Sequence, residues 1–295
     1  MGSFSTTHAI TYNSGSFEGP VHNFVETISD GDADTTFETG DTHFYVAGAL
    51  TMVFQGTAVV DGITWPVFSY QEAPTYFTIL MDQAPVTVPP TLSYTPGETF
   101  NNACFAAGTL IATPAGDVPV ETLQTGDQIR TADGRDVAVK WLGHLSYRPL
   151  FCSAKHLPVR IRAGALGDGL PLADLVVTAD HGIIIDGLVV NASALINGTT
   201  IDFVPVKELP DRLTVYHVET DAHDVILANG APAETFIDYR DRRAFDNFGE
   251  YLELCSCERI IPEMDRPRIS SARHLPDATR ERLGITAADH LASAS

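Results

Sequence analysis

Cys104 opens the run Cys104-Phe105-Ala106-Ala107-Gly108-Thr109 at the point where the composition of the chain changes. A cysteine placed there can attack the carbonyl of the residue before it through a five-membered ring and move that acyl group from nitrogen to sulphur. The bond at risk is Ala103–Cys104. Making a thioester from an amide is uphill, so the departing nitrogen needs a proton and the oxyanion needs stabilisation. Thr178 and His181, three residues apart at the end of Leu175-Val176-Val177-Thr178-Ala179-Asp180-His181, offer a hydroxyl to orient the peptide and an imidazole that titrates near neutral pH. With every group on one chain, folding supplies the proximity that a separate enzyme obtains by binding a substrate.

Other candidate side chains point elsewhere or nowhere. His217 and His223, six apart in Val215–Gly230, read as sheet or surface residues before they read as a metal pair. Cys152 reads as a core thiol, and Cys255-Ser256-Cys257 has no second pair nearby to complete a zinc site. Asp30, Asp32 and Asp34 imitate the opening of a calcium loop, but Thr35 stands where such a loop needs glycine and Asp41 where it needs glutamate. No metal and no cofactor are expected.

Three blocks carry a family resemblance: Cys104–Ile111 with Val118–Asp127, then Leu175–His181, then Val215–Gly230. Together and in this order they resemble the Hint family, the self-processing module shared by inteins and the autoprocessing half of Hedgehog proteins. The likeness covers about Cys104 to Asp238 and is strongest to the bacterial branch, which carries the Val-Lys-Trp-Leu-Gly stretch (139–143) and the Arg-Ala-Gly-Ala-Leu stretch (162–166). It implies an all-β, horseshoe-like domain with Cys104 as nucleophile and Thr178 and His181 at the scissile peptide. It also implies His223 as a helper in a second step, and His144 in place of the general-base aspartate of Hedgehog-like members. Full splicing needs a histidine, a cyclising asparagine and an acceptor, and those three positions are Ala233, Glu234 and Thr235. The expected reaction is therefore cleavage without ligation. The chain's own N-terminal segment is the substrate, water or a small amine or thiol is the acceptor, and the segment is released. Nothing resembles a sterol-recognition segment. Two other readings stay open: a Hint-like unit that folds and binds but does not react, and Cys104 with His181 acting on an external acyl substrate past its own upstream backbone.

The elements that must position these groups are mostly strands. Residues 1–103 hold 11 acids and no Lys or Arg, whereas 104–295 hold 27 acids and all 18 bases, so two folded units with a boundary near 103 are expected. The first reads as an antiparallel β unit with strand-like stretches at Thr42–Gln55, Thr57–Tyr70 and Thr75–Met81, followed by a proline-rich connector (Pro85, Pro89, Pro90, Pro96). The second, 104–238, reads as short strands: Thr109–Ala112, Asp127–Thr131, Val137–Leu142, Pro158–Arg162, Leu175–Thr178, Gly182–Ile185, Leu188–Asn191, Thr214–Thr220, Val225–Leu227 and Glu234–Ile237. Turn pairs such as Asp186-Gly187 and Asn229-Gly230 separate them. The tail, 239–295, is polar, with short helices expected at Asp277–Leu283 and Thr286–Leu291. The fold class is thus mainly β with a short helical tail.

Composition excludes several partners. With 44% apolar and 19% charged residues and no apolar run of about 20, neither a disordered chain nor a membrane span fits. A net charge of −20 repels phosphate backbones and anionic headgroups, so nucleic acid is excluded as an expected partner. The first residues lack the basic and apolar regions of a signal peptide, which leaves a cytoplasmic protein or one exported by another route.

Overall fold

The computed structural model describes residues 3–19, 21–30, 42–45, 51–61, 63–70, 73–96, 103–152, 155, 157–237, 242, 245–255 and 260–285. Most of the acidic loop 30–41, Cys257 and the helix expected at Thr286–Leu291 lie outside them. The chain is mainly β and divides into two compact units. Among the described residues, no helix is long and apolar enough to cross a membrane.

The first unit is an antiparallel sheet closed on itself. Ser3–Asn13 pairs through its first half with His22–Asp30 and through its second with Ala73–Met81. Between these partners the sheet continues through Thr42–Tyr45, Thr51–Val60 and Ile63–Tyr70, so the ring of pairings returns to its start. Its core includes Ile10, Tyr12, Phe54, Trp65, Val67, Phe68 and Ile79. The single stretch expected at Thr57–Tyr70 is in fact the end of one strand and all of the next. Asp61 sits in the turn between them at φ 53°, and the Asp61-Gly62 pair is the hairpin signal that marks this break. This unit also contains two segments that follow Cys104 in the chain, 146–156 and 205–213.

The second unit, 101–145, 157–204 and 214–295, is built of short strands rich in aliphatic residues. One sheet runs, in order, Gly116–Pro119, Leu110–Thr113, Val225–Ala228, Ala231–Glu234, Gly182–Ile185, Leu188–Asn191 and Arg268–Ile269. Another contains the three strands that matter for the site: Leu213–Glu219, Phe105–Ala106 and Leu175–Val177, side by side. Two-residue turns set the hairpin registers, with both residues at positive φ as type I′ requires: Asp186 (51°) and Gly187 (82°), then Asn229 (46°) and Gly230 (78°). The second turn starts its return strand at Ala231, so the strand expected at Glu234–Ile237 ends at Glu234 instead. Val137–Leu142 likewise splits. Asp136–Ala138 belongs to a two-stranded ribbon and Trp141–Tyr147 to the larger sheet, with Lys140 N donating to Glu219 O at 2.7 Å as the chain passes between them.

The tail is helical at Asp277–Leu283, as its capping residues imply, with Gly284 closing the helix at φ 68°. A second helix, Phe248–Leu254, was not foreseen from its pattern. It is held by tertiary contacts: Tyr251 packs edge-on against Trp141 at 5.3 Å, and the Asn247 amide donates to Leu142 O and accepts from His144 N, both at 2.9 Å.

Candidate functional site

Antiparallel register brings the site together. Phe105 faces Val177 on one side and Tyr216 on the other. One step along each strand puts Cys104, Thr178 and His217 in the next row. The backbone confirms the row on the Thr178 side, where Thr178 N donates to Cys104 O at 3.0 Å. Cys104 N–H in turn donates to Thr178 Oγ1 at 2.8 Å, so the amide nitrogen of the candidate scissile bond is held by the threonine hydroxyl. On the other flank the Cys104 thiol lies 3.9 Å from His217 Nδ1, at the long end of a sulphur hydrogen bond.

His181 stands beside this row because the chain turns straight after the Leu175–Val177 strand, His181 N donating to Thr178 O at 3.1 Å. Its ring packs on Phe105 (4.2 Å between centroids) and lies 6.2 Å from the His217 ring. Neither ring nitrogen makes a hydrogen bond of ordinary geometry. The backbone carbonyls of Ala103 and Glu234 nonetheless lie near enough to favour its protonated form. The Ala103 carbonyl is the one that a Cys104 thiol would attack. His181 therefore adjoins the oxygen on which negative charge would develop in that reaction.

Burial governs the electrostatics. Cys104, His181 and His217 are enclosed. Enclosure pushes the Cys104 thiol well above its ordinary value and the His217 imidazole well below its own, with the neighbouring His181 adding to the latter. His181 falls from 6.5 to about 4, again chiefly by burial; Glu234 pulls it up and Arg268 pulls it down. All three groups rest neutral at pH 7, which avoids the cost of isolated buried charges.

A carboxylate cradle lies behind them. Burial alone would raise the Glu234 carboxyl, but a 3.0 Å hydrogen bond from His223 Nε2, the attraction of His181 once acid has protonated it, and the Arg268 guanidinium together bring it down to about 2. Its other oxygen accepts from Gly182 N at 2.6 Å. A Cβ on residue 182 would fall 2.5 Å from that oxygen, so only glycine admits the carboxylate. Met264 N donates to His223 Nδ1 at 3.1 Å, which leaves the proton on Nε2 facing Glu234. Arg268 also donates to Asn191 Oδ1 at 3.0 Å, and it reaches the cradle because Arg268–Ile269 pairs parallel with Leu188–Asn191. The tail beyond 239 thus contributes to the site.

The sequence-predicted residues separate into groups. Cys104 and Thr178 are hydrogen-bonded and His181 adjoins Ala103. His223 bonds the Glu234 cradle and not the thiol. His144 is partly exposed and lies 3.8 Å from Asp246, whose carboxylate raises its pKa; its ring neighbour is Tyr216, at 6.3 Å. His217, which reads from the sequence as a sheet or surface residue, lies in the row itself; Glu234, which reads only as the replacement for the cyclising asparagine, and Arg268, which the sequence does not single out, form the cradle. For His217 the available signal was its place in Leu213-Thr214-Val215-Tyr216-His217, where it falls on the inward side with Leu213 and Val215. No group of three or more His, Cys, Asp or Glu side chains among the described residues can hold a metal.

A family model for the Hint domain matches residues 103–240. Residues 103–240 form a Hint domain. Hint domains are of the autoprocessing type. Among solved structures, the MchDnaB-1 intein in its N145AA form is 21% identical, with a TM-score of 0.34, over 45% of this chain and 99% of that one. The unmodified MchDnaB-1 intein gives 21% and 0.33, over 44% and 98%. The Msm DnaB1 intein splicing domain bound with zinc gives 20% and 0.34, also over 44% and 98%. No curated protein matches. The Hint-domain match begins at Ala103, the residue before Cys104.

Proposed function

We propose that this chain cuts its own backbone between Ala103 and Cys104 through an N-to-S acyl shift. The observation that carries the reading is the register row: Cys104 with its amide nitrogen on Thr178 Oγ1 and its sulphur facing His217 Nδ1. In the first step Cys104 Sγ bonds to the Ala103 carbonyl carbon and the thiol hydrogen passes to His217. The resulting oxyanion forms at the oxygen beside His181. The carbon–nitrogen bond then breaks and the Cys104 nitrogen takes a hydrogen through His181, so the two imidazoles together return the proton that the thiol gave up. The products are an Ala103 thioester on Cys104 Sγ and a free amine on Cys104.

Thr178 accepts the N–H hydrogen, which leaves more electron density on that nitrogen and favours its protonation. An imidazole held at about 4 is a strong acid once charged, and a charged imidazole beside an oxyanion in a dry site is worth far more than in water. Water or a small amine or thiol then attacks the thioester carbonyl, the carbon–sulphur bond breaks, and the thiol is regenerated. The C-terminal half of splicing has no counterpart here. The position of the cyclising asparagine is Glu234, which has no side-chain amide nitrogen to attack its own backbone carbonyl and whose carboxylate is engaged by Gly182, His223 and Arg268. His223 supports the site from outside the row through Glu234, and His144 lies beside Asp246.

Incubation with hydroxylamine at neutral pH, followed by intact mass measurement, tests the reading. The wild-type chain is expected to split between Ala103 and Cys104, with the hydroxamate on Ala103, and Cys104→Ala to stay whole. Equal splitting of the Ala variant overturns the proposal.

A further inference from the structure

The compact first unit is not made of residues 1–103 alone. It is closed by 146–156 and 205–213, two segments that leave the second unit and return to it, so each is tethered at both ends to the chain after Cys104. Their contacts within the first unit are with its core. Leu150 packs against the cluster of Ile10, Phe54, Trp65 and Phe68. Arg148 is almost fully enclosed, forms an ion pair with Asp82, and its guanidinium lies 5.1 Å from the centre of the Trp65 ring. Arg212 from the other segment approaches the same ring at 5.9 Å. Trp65 itself is 1% exposed, so both arginines meet an indole that is part of the core.

This arrangement also places bases in a unit that otherwise has none. Residues 1–103 contain 11 acids and no Lys or Arg, and the segments supply Arg148, Lys155, Lys207 and Arg212. The Arg148–Asp82 ion pair and the approaches of Arg148 and Arg212 to Trp65 therefore depend on chain from beyond the cut. A segment held at both ends has less conformational freedom to lose when it docks, which lowers the entropy cost of holding the partner.

We infer that residues 1–100 are bound non-covalently by 146–156 and 205–213, so that breaking the Ala103–Cys104 bond yields a two-chain complex and not a released segment. The partner of the N-terminal piece is the remainder of its own chain. This revises only the fate of the products, and it holds whether the bond is cut by the chain itself or by another agent.

The test uses a cut made independently of the chemistry. In the full-length Cys104→Ala chain, Asn101-Asn102-Ala103 is replaced by a site for a sequence-specific protease, and the digested protein is followed by denaturing electrophoresis, native gel filtration and native mass spectrometry. Two bands under denaturing conditions and one native species of the intact chain's mass are expected. Two separate native species overturn the inference. In the same cut chain, Arg148→Glu with Arg212→Glu is expected to shift dissociation to lower urea than in the chain with both arginines. An unchanged midpoint overturns the assignment of these two side chains. Because the protease makes the cut, a chain unable to process itself still gives a clear answer.

Discussion

The two units bury different chemistry. Among the described residues, the first encloses hydroxyls, such as Thr6, Ser69 and Thr78, together with the Cys152 thiol and one guanidinium, Arg148. The second encloses Thr178, His181, His217, Glu219, His223, Asp224, Glu234 and Arg242, a set rich in groups that change charge. A closed barrel filled by aromatic and aliphatic side chains gains stability from area removed from water and has little to gain from a buried charge. An interior that encloses three imidazoles and three carboxylates forgoes some of that gain, and enclosed ionisable groups concentrate where bonds are made and broken. One unit is organised by packing and the other by the chemistry it surrounds.

The comparison is sharpest at His181 and Trp65. Replacing His181 with Ala is expected to slow cleavage by about 10²–10⁴, the range for a positioned acid or base, in a hydroxylamine time course. A rate within a factor of two of wild type breaks the assignment of chemistry to the second unit. Trp65→Ala should instead cost about 3–5 kcal/mol in the first unit through the lost indole and the cavity it leaves. Hydrogen exchange checks this. Amides of Thr51–Val60 and Ile63–Tyr70 are expected to lose protection, while those of Gly182–Ile185 and Leu188–Asn191 keep theirs.

Acid separates the units by a smaller amount. His181 has a folded pKa near 4 against an ordinary 6.5, so between those values the unfolded chain binds a proton that the folded chain does not. Stability of the second unit therefore falls as pH drops from 6.5 towards 4, by about 3 kcal/mol at most from this residue. Glu234, depressed from 4.5 to about 2, extends the loss below pH 4.5. Urea midpoints across pH 7 to 4 should decline in wild type and decline less in His181→Gln. Equal slopes would mean that the imidazole is not held neutral by the fold.

Much of this was legible before the coordinates. The Asp186-Gly187 and Asn229-Gly230 turns gave their hairpins, and Gly182–Ile185 and Leu188–Asn191 are strands at the expected bounds, because two-residue turns fix register locally. Cys104, Thr178 and His181 were visible as types and spacings. His217 reads from the sequence only as a sheet or surface residue, because its importance comes from lying across the sheet from Cys104, a pairing 113 residues apart. The Glu234 cradle was hidden for a similar reason: Gly182, His223, Glu234 and Arg268 come from four separate stretches of chain. The Phe248–Leu254 helix escaped because Asn247 and Tyr251 hold it through partners more than 100 residues away.

The Asn229-Gly230 turn has a bearing on how the molecule ages. In a loose chain this pair loses ammonia readily, since the glycine nitrogen can swing onto the asparagine side-chain carbonyl and close a succinimide. Here the Asn229 oxygen accepts from Leu110 N at 2.8 Å, and its amide nitrogen donates to Asp174 O at 2.9 Å. Both ends of the side chain are anchored away from the glycine, and the backbone is pinned by the hairpin. This labile dipeptide is thereby protected from deamidation for as long as the strands on either side stay paired.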